Sequence, residues 1–120
     1  MKNLLFSTVL LEAVFAKWET TLKDAGRQHG LMMGAALNLG TPGVEYEQVF
    51  NREYDVCTAE AACKWHQIRP EENEFKLDLC VEHLKYAHEH GMKFRGHNLV
   101  WGVYNPSWLA NWKGSAAELE

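Results

Sequence analysis

The 120-residue sequence lacks the features that mark several large classes of protein. Basic residues are not in excess, because 12 Lys and Arg stand against 16 Asp and Glu, for a net charge of −4. The basic residues are scattered, whereas phosphate binding needs a basic stripe, so nucleic acid is excluded as a partner. No apolar run is long enough to span a bilayer, which excludes a membrane-spanning protein. Linkers, low-complexity segments and close internal repeats are also missing, and one small domain is expected.

The motifs of common cofactor and metal sites are missing too. The segment 38–43 lacks the G-x-G-x-x-G pattern, which argues against a dinucleotide. The three cysteines show no metal-ligand spacing, and the sequence does not say which two would form a disulfide in an exported protein: Cys57, Cys63 and Cys80. Three histidines lie near the end of a predicted helix, where the helix dipole favours a cation over a metal site: His83, His88 and His90. We therefore expect no metal, no cofactor and no obligate protein partner.

The first 16 residues have the pattern of a secretory signal peptide. Lys2 supplies a positive start, Leu4 to Leu11 is apolar, and the segment 14–16 fits the small-residue cleavage rule. Glu12 departs from the pattern, and the alternative is a buried N-terminal helix. We predict a signal peptide over residues 1–16, export from the cell, and a folded domain over residues 17–120.

Hydrophobic periodicity predicts helices and strands that alternate along the rest of the chain. The predicted strands are short apolar runs between turn residues, and they are Leu31–Leu37, Asp55–Ala59 and Met92–Val100. The first helix ends before Gly30 and has one face formed by Trp18, Leu22, Ala25 and His29. The second runs from an N-cap at Thr41, followed by Pro42, to about Tyr54.

A loop is expected over residues 60–73, followed by a third helix that ends at Gly91. The apolar stripe of that helix consists of Leu77, Cys80, Val81, Leu84 and Ala87. Ser115 and Glu118 have the spacing of a capping box at the start of a last helix. Alternating strands and helices predict an α/β fold with a parallel sheet covered by helices, either doubly wound or a (β/α)₈ barrel.

Polar and aromatic residues gather where the predicted strands end, which is the place of the active site in barrels. They are Asn38, Glu60, Lys64, His97 and Trp101. A carboxylate accepts sugar hydroxyl protons, an ammonium donates to sugar oxygens, and an indole stacks on a sugar ring. Their convergence at one edge predicts a carbohydrate site.

Each of these residues also has a simpler interpretation. Glu60 and Lys64 are four residues apart, and this spacing alone slightly favours a surface ion pair worth about 0.3–0.5 kcal/mol. A lone histidine is more often a core residue, although the position of His97 between Gly96 and Asn98 favours a site. Trp101 could be a stacking platform or a lid of the core.

Several segments together resemble glycoside hydrolase family 10, the endo-β-1,4-xylanases. The segment Arg95–Trp101, followed by Asn105–Trp108, is similar to the third-strand signature of that family. The segment Val56–Trp65 resembles the second-strand motif, and Leu22–Asn38 resembles the opening helix and first strand. The resemblance covers about residues 18–120, in the order and spacing of the family.

The resemblance implies the first three strands of a (β/α)₈ TIM barrel that hydrolyses xylan with retention. Two glutamates about 5–5.5 Å apart act in retaining enzymes, and in this family they follow the fourth and seventh strands. We therefore expect an N-terminal piece of such an enzyme that has no catalytic residue of its own and is inactive in isolation. The substrate-binding residues that carry over, for xylan or xylo-oligosaccharides, are Glu60, Lys64, His97 and Trp101. By this resemblance Lys64 and His97 would hold the sugar beside the cleaved bond, and Glu60 would bind the next sugar outward. Trp101 would line the floor of the site.

Two positions depart from the family pattern. Ala61 stands where Asn is usual, so that one sugar hydrogen bond worth about 0.5–1.5 kcal/mol is lost. Gly102 stands where His is frequent. An alternative function, a non-catalytic carbohydrate-binding or assembly module derived from the same fold, would use the same four residues but would need a self-sufficient fold.

Overall fold

The computed structural model describes residues 20–40 and 43–118. In chain order the elements are α1 (Leu22–Arg27), β1 (Gly34–Leu37), α2 (Val44–Glu53), β2 (Val56–Ala59), α3 (Trp65–Ile68), α4 (Asp78–Glu89), β3 (Lys93–Arg95), α5 (Ser107–Ala110) and a 3₁₀ turn (Ala116–Glu118). The predicted signal peptide, Trp18 and the predicted N-cap at Thr41 and Pro42 lie outside the described residues. Among the helices described, none is long and apolar enough to cross a membrane.

The three strands form one parallel sheet in the order β1-β2-β3, which confirms the predicted α/β fold. The register places Leu37 opposite Ala59, and Cys57 opposite Phe94. The pairing continues one step past β2, because the Glu60 N–H donates to the Leu37 carbonyl at 3.0 Å. The loops after β1 and β2 therefore begin side by side at the carboxyl edge of the sheet.

One face of the sheet carries the core. Leu37 and Cys57 are fully buried there, against Phe50 of α2, Ala87 of α4 and Met92. These side chains alternate along the strands with residues that face the other side. On that side Gly34 and Ala36 of β1 are exposed. The helices of the described chain thus cover one face of the sheet.

The predicted first strand, Leu31–Leu37, was too long and only partly buried. Leu31 is 60% exposed, and its N–H donates to the Gly26 carbonyl at 2.9 Å, so it belongs to the turn that closes α1. Gly30, with φ +70°, makes that turn possible. The apolar character of the run does not distinguish a strand from the turn that leads into it.

The predicted third strand, Met92–Val100, is also shorter in the structure and ends at Arg95. Arg95 pairs with Thr58, and only Ala59 remains in β2 beyond that pair. With no further partner, the segment from Gly96 to Val100 leaves the sheet as a loop. This places the most polar part of the sequence outside regular structure.

The second helix, α2, begins at Val44 with Gly43 as its N-cap, two residues later than predicted, and ends close to the expected position. The third predicted helix corresponds to α4, and Gly91 follows it with φ +65°, as expected. Its buried side was predicted wrongly. His83 and Ala87 are buried, whereas three residues of the predicted stripe are about half exposed: Leu77, Val81 and Leu84. The sheet lies on the side of Cys80, His83 and Ala87, and the leucines project to one flank of it.

The loop between β2 and α4 is more ordered than the sequence indicated. It contains α3 and is fastened to α4 by a disulfide between Cys63 and Cys80. Cys57 is the free cysteine, and its burial raises the pKa of the thiol. Cys63 packs with Ala59 and Ala62 in a second small cluster, so the disulfide joins residues whose apolar contacts are few.

The last predicted helix is a 3₁₀ turn in the described part of the chain. The Glu118 carboxylate accepts from the Ser115 backbone N–H at 2.6 Å, which is one half of the predicted capping box. This hydrogen bond lowers the pKa of the Glu118 carboxyl.

Candidate functional site

The candidate site lies on the loops that follow the carboxyl ends of the three strands, which we call the rim. Asn38 follows β1, Glu60 and Lys64 follow β2, and His97 and Trp101 follow β3. Because the strands are parallel, all three loops leave the sheet at the same edge. All five predicted residues therefore lie on loops at the carboxyl edge of the sheet.

Glu60 is held by Asn38. The Asn38 side-chain amide donates to Glu60 Oε2 at 2.8 Å, and Asn38 Oδ1 accepts from the Gly40 N–H at 2.9 Å. The Asn38 backbone N–H donates to the hydroxyl of Tyr46 on α2 at 3.1 Å. Glu60 is exposed on the rim. The carboxylate is thus oriented by a fixed amide and can accept hydroxyl protons from a ligand.

A cavity of about 220 Å³ lies beside Glu60. Its polar lining consists of Asn38, Glu60, Gln67 and His83, and its apolar lining includes Leu37 and Leu79. His83 is buried, and its Nδ1 lies 2.7 Å from the Leu79 carbonyl. A carbonyl can only accept, so Nδ1 carries a proton and donates to a carbonyl of its own helix.

Lys64 does not pair with Glu60, so the ion pair that the spacing favoured is wrong. The ion pairs of the described residues are Arg27–Asp24, Arg27–Asp55, Arg52–Glu53 and Lys76–Glu74. The residues 60–64 form a turn, and Lys64 is the N-cap of α3. The ammonium instead lies over two aromatic rings, 5.1 Å from the centroid of Trp101 and 5.1 Å from that of Tyr104.

Four rings follow one another along the rim, and we call them the ring row: His97, Trp101, Tyr104 and His66. Successive centroids are 6.0, 5.6 and 5.4 Å apart. Trp101 is 40% exposed and belongs to neither core cluster, so its interpretation as a lid of the core is wrong. An exposed indole beside an ammonium and an imidazole is suited to a polar ring with an apolar face, such as a sugar.

A second group of rings ties the loops of the rim together. The Trp108 indole N–H donates to the Arg69 carbonyl at 3.0 Å, and the Arg69 guanidinium lies 4.6 Å from the Trp108 ring centroid. Trp65 packs edge-on against Trp108 with centroids 6.0 Å apart. These contacts join the loop after β2 to the loop after β3. They fix the distance between the part of the rim that carries Lys64 and the part that carries Trp101.

Sequence reasoning missed Tyr104 and His66 as members of the rim. Tyr104 stands three residues after Trp101, but its backbone has φ +57°, a conformation that aromatic residues seldom adopt and that no local signal predicts. His66 lies on α3, which was expected to be loop.

The histidines and carboxylates of the described chain do not assemble a metal site. His90 stacks on Tyr86 at 4.0 Å, and its Nδ1 lies 2.8 Å from the Tyr86 carbonyl. Over residues 20–40 and 43–118, no three His, Cys, Asp or Glu side chains come together as metal ligands would. Within the same part of the chain Glu60 is the one carboxylate among the predicted site residues.

The chain is similar to known proteins over most of its length. Residues 21–120 match the profile of Glycosyl hydrolase family 10. The chain is 34% identical to Endo-1,4-beta-xylanase A of Fusarium oxysporum over 94 residues, which are 78% of the chain and 28% of that protein. It is 33% identical to Endo-1,4-beta-xylanase B of Thermotoga neapolitana over 75 residues, 62% of the chain and 22% of that protein.

A solved structure with the same fold is xylanase 10B from Thermotoga petrophila in complex with xylobiose. The TM-score is 0.71 with 26% identity, and the match covers 83% of the chain and 32% of that protein. The match therefore covers about a fifth to a third of the length of these three proteins. Its three-stranded sheet corresponds to part of their barrel.

Proposed function

Because the chain belongs to glycosyl hydrolase family 10, we propose that it supplies the sugar-holding part of an endo-1,4-beta-xylanase. In this proposal the rim binds xylan or xylo-oligosaccharides through Glu60, Lys64, His97 and Trp101. The hydrolysis itself requires the two glutamates that the family carries after its fourth and seventh strands. The observation that supports the proposal best is that all four residues follow the carboxyl ends of one parallel sheet, where Lys64 and His97 lie beside the Trp101 ring.

The four residues have complementary roles toward a xylose unit. Trp101 is 40% exposed and offers part of its ring for stacking, while the Lys64 ammonium over that ring and the neighbouring His97 can donate to ring and hydroxyl oxygens. The Glu60 carboxylate, oriented by Asn38, accepts protons from the hydroxyls of a neighbouring sugar. The named relatives are xylanases, and the Thermotoga petrophila protein was solved with xylobiose. No observation favours the alternative of a non-catalytic module.

Binding is tested by titrating the purified chain with xylotriose and following backbone amide resonances by NMR. We expect shifts confined to the rim, and weaker binding in Lys64→Met and Trp101→Ala. Lys85→Met is the matched control, because Lys85 is an exposed lysine on α4, outside the rim. Shifts that spread over α1 or the exposed side of α4, with no change on substituting Trp101, would contradict the proposal.

Hydrolysis is tested separately, on xylan with release of reducing sugar as the readout. We expect no turnover by the 120-residue chain, because a single carboxylate at the described rim cannot serve as both acid/base and nucleophile. A longer form that contains both family glutamates should hydrolyse xylan with retention. Turnover by the 120-residue chain alone would contradict the proposal that this part of the protein binds the sugar and that residues elsewhere hydrolyse it.

We also propose that the protein is exported through the predicted signal peptide at residues 1–16. The disulfide between Cys63 and Cys80 supports this, since disulfides persist mainly in oxidising compartments. Fusing residues 1–19 to a reporter enzyme should direct it into the culture medium. A fusion with Leu4–Leu11 replaced by polar residues should remain inside the cell, and equal retention of both fusions would refute the proposal.

A further inference from the structure

The position of Lys64 poses a question that its sequence neighbours do not answer. A carboxylate lies four residues away at Glu60, yet the two side chains do not pair. The neutral side-chain amide of Asn38 donates to the Glu60 carboxylate at 2.8 Å. Another group must therefore attract the Lys64 ammonium. Lys64 is also the N-cap of α3, a position at which the helix dipole disfavours a positive charge.

The attraction comes from two ring faces. Nζ of Lys64 is 5.1 Å from the centroids of both Trp101 and Tyr104, and the two rings are inclined by only 26° with centroids 5.6 Å apart. The ammonium is therefore equally distant from the two ring centroids. The negative faces of both rings then attract the same ammonium.

Tyr104 makes this arrangement without support from the core. Its side chain is exposed, and it belongs to neither core cluster. Its backbone has φ +57°, which for an aromatic residue costs free energy. Core packing does not account for this conformation, because the side chain lies on the surface. A contact that the ring makes on the surface accounts for it better.

We propose that Tyr104 is a positioning residue that, together with Trp101, holds the Lys64 ammonium at the rim and away from Glu60. Lys64 and Glu60 then remain available to different hydroxyl groups of the same sugar chain instead of neutralising each other. The ligand is a neutral β-linked xylo-oligosaccharide, so the inference rests on the proposed function for its ligand. The cation contact itself does not depend on the ligand.

The contact is tested first without sugar, by NMR of the full chain. We expect ring currents to shift the Lys64 ε-methylene protons upfield, and we expect nuclear Overhauser contacts between these protons and the Tyr104 ring. Tyr104→Phe should keep most of the shift, and Tyr104→Leu should reduce it. Phe75→Leu is the matched control, because Phe75 is an exposed ring that contacts the cation of Arg69 and not that of Lys64. An unchanged Lys64 shift in Tyr104→Leu would overturn the proposal.

The effect on the ligand is tested by a double-mutant cycle with xylotriose. Tyr104→Leu should weaken binding about two- to five-fold, as expected for an exposed cation–π contact, and Tyr104→Phe should restore most of it. In a Lys64→Met background the same Tyr104→Leu change should have no further effect, because Tyr104 acts through Lys64. A full effect in that background would mean that the tyrosine stacks on the sugar directly, and the positioning role would be wrong.

The two tests separate this inference from the proposed function. If the chain does not bind xylotriose, the proposed function fails, and the NMR shift of Lys64 alone decides whether Tyr104 holds the ammonium. If xylotriose binds and the Lys64 shift does not respond to Tyr104, the proposed function stands and this inference fails.

Discussion

Removal of the Cys63–Cys80 disulfide should loosen the rim while leaving the sheet paired. The bond closes a loop with a sequence separation of 17, for which the chain-entropy relation gives about 3 kcal/mol. At about 1.4 kcal/mol per factor of ten, opening of the segment between the two cysteines should become easier by up to about 150-fold. This segment contains α3 and the chain that leads into α4.

Amide hydrogen exchange, read residue by residue in the Cys63→Ala/Cys80→Ala double variant, measures this opening. Inside the loop, the Lys76 N–H donates to the Ile68 carbonyl at 2.9 Å and should exchange much faster in the variant. Outside the loop, the Met92 N–H donates to the Ala87 carbonyl at 2.8 Å and should change little. A reductant should reproduce the effect in the native chain and have none in the variant. Equal acceleration at both amides, or none at Lys76, would refute the reasoning.

Three further changes test the fold and the site. The Leu22 backbone N–H donates to Glu53 at 2.6 Å and lowers the pKa of that carboxyl, so the stability that the hydrogen bond supplies is complete above the unfolded pKa of about 4.3 and is lost as the pH falls through the lowered value. The free energy of unfolding, measured with urea at several pH values, should therefore depend less on pH on the acid side in Glu53→Gln, and should be unaffected in this respect in the exposed control Glu82→Gln. Gly91→Ala should lower the free energy of unfolding by about 1–2 kcal/mol because φ is +65°, whereas Gly96→Ala, in open space, should change it little. Similar losses for both variants in urea titrations would contradict the argument from the positive φ. Ala61→Asn, which restores the residue usual in the family, should tighten xylotriose binding up to about tenfold by calorimetry, and no gain would show that the amide has no sugar partner here.

The alternation of helices and strands was predictable because it rests on periodicity and on caps. Gly30 and Gly91 both lie at helix ends with positive φ, and both were identified from their residue type alone. The strand ends were not predictable. The point at which β3 ends depends on how far β2 extends beside it, and this is a property of the pairing.

The positions of the site residues were predictable in part, for a similar reason. Parallel strands bring their carboxyl ends together, so Glu60, His97 and Trp101 could be placed on one edge from strand order alone. The partner of Lys64 could not be predicted in this way. The i, i+4 spacing indicated Glu60, whereas in the structure the ammonium lies over two rings of the loop after β3. The buried side of α4 was missed because the sequence stripe shows apolar residues without showing which of them the sheet reaches.

The rim is fastened mainly to the layer of helices. Asn38 is bound to Tyr46 of α2, Cys63 is bonded to Cys80 of α4, and Arg69 of the loop after α3 holds Trp108 of α5. The proposed sugar site is thus coupled mechanically to the helices that cover the sheet. A change that loosens the packing of the helices on the sheet would displace the rim residues while the strands were still paired. Ligand affinity should therefore fall before strand pairing is lost.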